Sequence, residues 1–549
     1  MNGYGVLHRR QDSCHVSRRW EQWLTAGIVV FAGVIRAPSL IQPLGPDQGI
    51  MSVIGNGILE GKLPYRDFWE MASPAIFYTY AAMFKLFGRS MSAIPITDIL
   101  MSMLTTWLIY LVAARLWNRR TGWLSAGLFA VFANGARLGM HAGGDVAFGT
   151  FWYVAQRETF MLPLLTAGIL LALQYKMGGK SIWRLFLIGL CGGLAFLYKF
   201  PSIFVFAPIV PYLNWEVFKN PNRKAIRALL FCNVIWISGF LAVLAPAVVL
   251  FAAKGALTEM TDVIFGYVSS VYGHARLDLL SLAKLALSRT IFLAGEQFML
   301  WVVSAASIIY IACNHRSREN LLVVFWALGG LLFVSSHMEF LGYHYLMILP
   351  PFCALSGYGL NTIFASGQNL RWLVKEAPAK VLVLLAFIAN IFVYTTLVHA
   401  HYTKFYFYLT DKITLDQYYD FFTAYPKHDY SFASDYKVSR YIQGRTGPQD
   451  KIYSLGGIES VIYFLTRRDS PSRFIYSWIL FSYAHSKAPK AEAYRSELLA
   501  DLKKDPPAFI VTVRSLEWFR GFPDIFDFVN DRNRRVESFP DDRYVYARR

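Results

Sequence analysis

The sequence predicts a polytopic α-helical membrane protein of about eleven spans, carrying helices that lie on the outer face and a soluble α/β unit at its C-terminal end. Three observations point there. The 549 residues are 55% hydrophobic and 16% charged, with a mean hydropathy of +0.35. Apolar runs of spanning length recur almost to residue 400, and short basic clusters separate them. Beyond residue 400 the pattern shifts to short apolar segments set among charges.

The first span, "WLTAGIVVFAGVI", follows Arg9, Arg10, Arg18 and Arg19. Basic residues stay on the cytoplasmic side, so the N-terminus is expected inside and the 42–90 loop outside. No small-residue cleavage site follows, so this run reads as an anchor and not as a cleaved signal. Two apolar stretches, 74–88 and 91–115, come before the next basic cluster, "ARLWNRRTG". Two spans would put that cluster on the wrong side. "PAIFYTYAAMFKLFG" is also shorter than the ~20 residues that a crossing needs, so it reads as an interfacial helix. The clusters "KMGGKSIWR", "FKNPNRKAIR", "NHRSREN" and "LRWLVKEAPAK" then all fall inside, and the loops near 134–157, 253–289 and 336–343 fall outside.

This divides the chain into a membrane domain, 1–400, and an extracytoplasmic domain, 401–549. In the latter "DKIYSLGG", "PAFIVTV" and "RYVYARR" read as buried strands, and "KAEAYRSELLADLKKD" as an amphipathic helix. The formal charge of +18 is spread over the connections, with no recognition motif, which argues against nucleic acid. Cysteines stand at 14, 191, 232, 313 and 353 with no CxxC, so neither a disulfide framework in the tail nor a zinc site is indicated.

Ionisable groups at membrane depth are costly and therefore informative. Threading gathers several at the outer level: Asp47 in "GPDQG", Arg157 and Glu158 in "YVAQRETFMLP", Lys199 in "LAFLYKFPS", and His344 and Tyr345 in "FLGYHYLMILPP". Each also has a bland reading. Asp47 could initiate a turn, and Glu158 could serve the helix dipole or pair with Arg157. Lys199 could snorkel, and His344-Tyr345 could belong to an aromatic belt. Arg66, Asp67 and Glu70 read as solvated loop charges, with Asp67 placed at the rim of the substrate cavity. Asp47, Glu158 and His344 could also bind a divalent cation, although no spacing demands one. No cofactor is implied.

An acid near lipid can act as general base on a hydroxyl, and Lys or Arg can neutralise a phosphate. Together they suit displacement of a lipid-linked phosphate at a sugar carbon. Neither GxxxxGK[ST] nor a placed GxGxxG provides a nucleotide site.

The order of these segments resembles the GT-C glycosyltransferases of the protein O-mannosyltransferase and lipid A aminoarabinose transferase superfamily. "GPDQG", "GILEGKLPYRDFWEMASPAIFYTYAAMFKLFG", "AQRETFMLPLL", "LAFLYKFPS", "GYHYLMILPP" and the tail's "GRTGPQDKIYSLGGIESVIYFLTRRDSPSRFIY" carry the likeness. The resemblance implies a polyprenyl-phosphate sugar donor, an outward-facing cavity and inversion at the sugar carbon. It implies Asp47 as base or its organiser, Glu158 as the acid opening the fourth span, Lys199 and Lys85 on the donor phosphate, and His344 and Tyr345 beside the cavity; with Glu158 supporting Asp47, Arg157 is a further candidate for the phosphate. Many relatives carry Asp-Glu where this chain has Asp47-Gln48, and Lys-Pro-Pro where it has Ala72-Ser73-Pro74.

The reading is a glycosyltransferase of the plasma (inner) membrane, multi-pass, acting on a lipid, glycan or protein acceptor. A transporter or lipid flippase is the alternative. It would need broken helices in paired halves, and the sequence has no internal repeat.

Overall fold

The computed structural model describes residues 4–134, 154–267, 278–337, 340–365, 370–422, 430–482 and 490–549. The N-terminal helix α1 (Tyr4–Val34) leads through a 3-10 turn into α2 (Pro46–Leu59). Gly45 caps α2 in an extended conformation and Pro46 fills its first turn, where no N–H is needed. Asp47 then sits at the positive end of the helix dipole.

The apolar stretch at 74–88 forms α3 (Ala75–Phe87), whose 13 residues fall short of a crossing. It buries Ile76, Phe77, Tyr80 and Phe84 inside the protein and leaves Lys85, Leu86 and Phe87 exposed. It packs so closely on α2 that a Cβ on Gly55 would lie 2.9 Å from the Ala81 backbone nitrogen.

The membrane part comprises α4 (Ala93–Leu116), α5 (Arg119–Phe132), α6 (Arg157–Met177), α7 (Ile182–Tyr198), α8 (Arg223–Ala253), α9 (Leu279–Glu296), α10 (Phe298–Asn314), α11 (Arg318–Ser335), α12 (Leu349–Ala365) and α13 (Leu370–Leu409). Among the described residues seven helical segments are long and apolar enough to span, or eight if the bent pair α9–α10 is one span. The expected eleven included three shorter pieces. Helix α5 has 14 residues and α7 has 17. The expected sixth span is broken into Ser202–Phe206, Ile209–Leu213 and Trp215–Lys219. Pro201, Pro208 and Pro211 recur there, and proline cannot continue a helical hydrogen-bond ladder.

The expected outer loop at 253–289 instead includes most of α9, which meets α10 at 103°. Asn390 of α13 holds that corner, donating to the Glu296 carbonyl and accepting from the Met299 N–H. Most of the loop at 134–157 lies outside the described residues. The window within 342–364 is 72% buried, against 11% for α8 and for 378–396, so the former is central and the latter two are peripheral.

Helix α13 runs to Leu409, past the expected boundary at 400. The tail then forms α14 (Phe432–Gln443), β1 (Ile452–Leu455), α15 (Ala491–Lys504), β2 (Phe509–Thr512), α16 (Pro523–Arg532), β3 (Asn533–Phe539) and β4 (Arg543–Arg548). The sheet order is β1-β2-β4-β3, with β1 parallel to β2 and the other pairs antiparallel. The three expected strands and the expected helix are present. Strand β3 was not foreseen, because its charged, half-exposed residues give no apolar run.

One apolar cluster joins the outer loop to the tail. Trp69 packs on Phe474, Tyr476 and Tyr494, and Phe84 stacks on Phe464 at 5.4 Å. The Trp69 N–H donates to the Arg473 carbonyl, and the Tyr430 hydroxyl to that of Leu44 at 2.6 Å. A Cβ on Gly49 would lie 2.9 Å from the Val461 backbone nitrogen. Helix α2 is thus clasped by α3 and by the tail through two glycines. Gly55→Leu should force α2 and α3 apart and cost about 1–3 kcal/mol, seen as a lower Tm in detergent. An unchanged Tm would contradict this packing.

Candidate active site

The site is built around the turn that opens α6. Ala155 has φ 52°, a left-handed conformation that needs support in a non-glycine residue. Four bonds supply it. Gln48 Nε2 donates to the Val154 carbonyl (2.7 Å) and the Tyr80 hydroxyl to that of Ala155 (3.2 Å). Asp98 Oδ1 accepts from the Ala155 N–H (2.8 Å) and from Thr159 Oγ1 (3.0 Å). Asp98 is fully buried in α4 and is neutralised by Arg36 at 3.2 Å. Gln48 therefore works as a brace.

The turn delivers three consecutive side chains. Gln156 Nε2 donates to Asp47 Oδ2 at 3.0 Å. Arg157 lies within electrostatic range of Asp47, Glu158, Glu70 and Tyr343, and its Nε has no partner among the described residues. Glu158 Oε1 accepts from Lys199 Nζ at 2.7 Å, both side chains buried. Lys199 also faces the rings of Tyr343 (5.5 Å) and Phe333 (5.6 Å). Burial raises the Asp47 carboxyl above its ordinary range, against the pull of Arg157, the Gln156 bond and Lys199.

Glu70, read from sequence as a solvated loop charge, is buried. The aromatic residues of the tail cover it, which no local pattern could announce. Its Oε1 accepts the Ala72 N–H at 3.0 Å, and Tyr476 lies beside it. Burial pushes its carboxyl up to about 7; the Ala72 bond opposes this and the charge of Asp47 adds to it.

His344 is buried, with its ring 4.1 Å from that of His337. His337 Nδ1 lies 2.7 Å from the Phe333 carbonyl, to which it donates. Burial and Lys199 push His337 down to about 2, so its ring is neutral and its Nε2 is an acceptor.

Asp47, Arg157, Glu158, Lys199 and His344 are brought together. The remaining expected residues lie elsewhere. The Tyr345 hydroxyl pairs with Thr290 on α9 at 2.8 Å, and Tyr343 takes its place beside Lys199. The two tyrosines flank His344 on the 3-10 helix Gly342–Ile348 and point in different directions. Lys85 is exposed on α3. Asp67 caps the Leu63 N–H, pairs with Arg66 and lines a separate cavity. Among the described residues no three His, Cys, Asp or Glu side chains gather as metal ligands; the near oxygen of Glu158 is taken by Lys199. Asp98, Gln156 and His337 are not singled out by the sequence reading. For Asp98 the signal was present, as an acid inside the run "IPITDILMSMLTTWLIY".

Residues 71–251 match the family model described as dolichyl-phosphate-mannose-protein mannosyltransferase. The fold resembles the apo crystal structure of ArnT from Cupriavidus metallidurans, with a TM-score of 0.55 and 15% identity over 97% of this chain and 98% of that one. It resembles the same protein bound to undecaprenyl phosphate with a TM-score of 0.54 and 14% identity, over 96% and 98%. No curated protein matches the sequence significantly. The resemblance to the GT-C superfamily that the motifs suggested is borne out in the fold.

Two predictions follow from the buried charges. Lys199→Met should strand the Glu158 carboxylate and cost about 3–5 kcal/mol, with Lys199→Met/Glu158→Gln recovering part of the loss; thermal melts of both variants check this. Glu70 holds its proton up to about pH 7 when folded, against an ordinary value of 4.5. The folded state therefore binds more protons between these values, and stability falls as pH rises through that window. Glu70→Gln should remove that fall, gaining up to about 3 kcal/mol on wild type between pH 5 and 8. An equal Tm difference at both pH values would refute the assignment.

Proposed function

Starting from a chain with the GT-C fold of membrane glycosyltransferases, we propose that it moves a sugar from a polyprenyl-phosphate donor to a lipid, glycan or protein acceptor. The transfer takes place on the outer face of the plasma membrane, with the N-terminus cytoplasmic and the tail extracytoplasmic. The observation that carries the reading is the meeting of Asp47 with Gln156, Arg157, Glu158 and Lys199 around one pinned turn.

Asp47 is the base. Its raised carboxyl holds a proton more readily than a solvated aspartate does, and the Gln156 bond fixes its Oδ2 so that the other oxygen can face the acceptor hydroxyl. As that hydroxyl loses its proton to Asp47, its oxygen bonds to the sugar carbon. The bond from that carbon to the phosphate oxygen breaks on the opposite face, and its electron pair leaves with polyprenyl phosphate. The configuration is inverted.

Arg157 is the main phosphate-binding group, because Lys199 is already committed to Glu158 while the Arg157 Nε has no described partner. The Lys199–Glu158 pair keeps net positive charge in check before donor binds, which limits the cost of cations beside lipid. The Nε2 of His337 fits a sugar hydroxyl rather than phosphate, since it accepts and cannot donate. A transporter would expect helix breaks at matching positions of two internal repeats, and the sequence has no internal repeat.

Asp47→Asn should lower sugar transfer by about 10²-fold or more while the protein stays folded and still binds polyprenyl phosphate. Transfer measured with purified enzyme checks this, and unchanged turnover would remove Asp47 from the role of base.

A further inference from the structure

The tail segment "TRRDSPSRF", residues 466–474, is singled out by sequence yet takes no part in the site around Asp47. It walls a cavity of about 590 Å³ whose other side is the C-terminal end of α2, the loop around Arg66 and Asp67, and Arg89. That volume falls within the range of about 300–1,000 Å³ typical of small-molecule sites. Asp47 and Asn56 stand near opposite ends of α2, about 14 Å apart along its axis, so this is not the site described above.

The charges in the wall fall into two groups. Lys62 pairs with Asp469 at 2.8 Å, Arg66 with Asp67 at 2.7 Å and Arg473 with Glu497 at 2.6 Å. Arg89, Arg467 and Arg468 have no carboxylate partner among the described residues. Arg468 gives its donors to the carbonyls of Thr446 and Thr466, which leave its charge unbalanced. Arg89 donates to the Phe464 carbonyl at 3.3 Å, and its buried Nε has no partner. Arg467 is exposed, at φ 56°. Burial, and then the charge of Arg467, hold Arg89 below its ordinary pKa, with Glu60 and Asp469 opposing. Guanidinium groups without counter-ions in a concave wall call for an anion.

We infer that this cavity is a second ligand site, which takes the phosphate or carboxylate group of a sugar belonging to the acceptor. Arg89 and Arg467 bind the anion, and the neighbouring carboxylates of Asp469 and Asp501 accept sugar hydroxyls. Those carboxylates set the ligand class. They would repel the continuous negative surface of a membrane but suit a ligand that pairs one anion with several hydroxyls. The inference rests on the transferase reading for the word acceptor, and on the cavity alone for the anionic sugar. The site would grip the acceptor at a distance from the reacting hydroxyl, so it selects extended acceptors.

The test is equilibrium binding of glucose 6-phosphate to the purified full-length protein, with glucose as the neutral control and phosphatidylglycerol vesicles as the membrane control. Glucose 6-phosphate should bind saturably and glucose should not. Arg89→Gln/Arg467→Gln should weaken binding by about tenfold or more, the loss of a charge-assisted hydrogen bond, with polyprenyl-phosphate binding unchanged. Arg467→Gln alone, at an exposed position, provides the answer if the double variant does not fold. Absence of saturable binding, equal binding by wild type and variants, or a loss confined to vesicles would each overturn the inference. Failure of the transferase reading would appear separately, as no release of polyprenyl phosphate from any donor while glucose 6-phosphate still binds.

Discussion

The site depends on Asp98. A carboxylate fully buried in a spanning helix would be prohibitively costly alone, and this one is stabilised by Arg36 and by two donors on the turn that opens α6. Through those two bonds it fixes a left-handed residue that the backbone would not adopt unaided. From that turn Gln156 reaches Asp47 and Glu158 reaches Lys199. The groups of the candidate site are thus positioned by a buried charge on a neighbouring helix.

The tail completes the arrangement from the other side. It covers Glu70 with aromatic rings, holds the start of α2 through the Tyr430 bond to Leu44, and meets α2 at Gly49. Its own packing is organised by a buried charge, Arg543 between Asp435 (2.9 Å) and Glu459 (3.1 Å). Breaking such a group leaves an uncompensated buried ion, so it resists local loosening. The helix that carries the proposed base is therefore braced by two separate buried ion networks, one in the membrane part and one in the tail.

Much of this was legible in the sequence, for physical reasons. Charges at membrane depth are expensive, which picked out Asp47, Arg157, Glu158 and Lys199; a 13-residue apolar helix cannot cross a bilayer, which separated α3 from the spans. Apolar runs marked β1, β2 and β4. Other features depended on distant partners. Glu70 looked solvated because its cover lies some four hundred residues away in the chain. Tyr343, and not Tyr345, faces Lys199, because tertiary packing against Lys199 and Thr290 decides which tyrosine of Gly-Tyr-His-Tyr turns to the site, and no local pattern carries that choice. Strand β3 hides behind charges, although Asp541 and Asp542, both at positive φ, mark the hairpin turn to β4. The sixth span was counted as continuous despite three prolines, and those prolines break it.

The central claim is that the pinned turn and Asp47 serve sugar transfer from a lipid phosphate. The most direct test is to incubate the purified protein with a panel of polyprenyl-phosphate sugars and candidate acceptors, and to measure polyprenyl phosphate released against acceptor glycosylated. The account predicts that at least one donor releases polyprenyl phosphate in step with an inverted glycosidic product. Release from none of the donors, across lipid, glycan and protein acceptors, would contradict it.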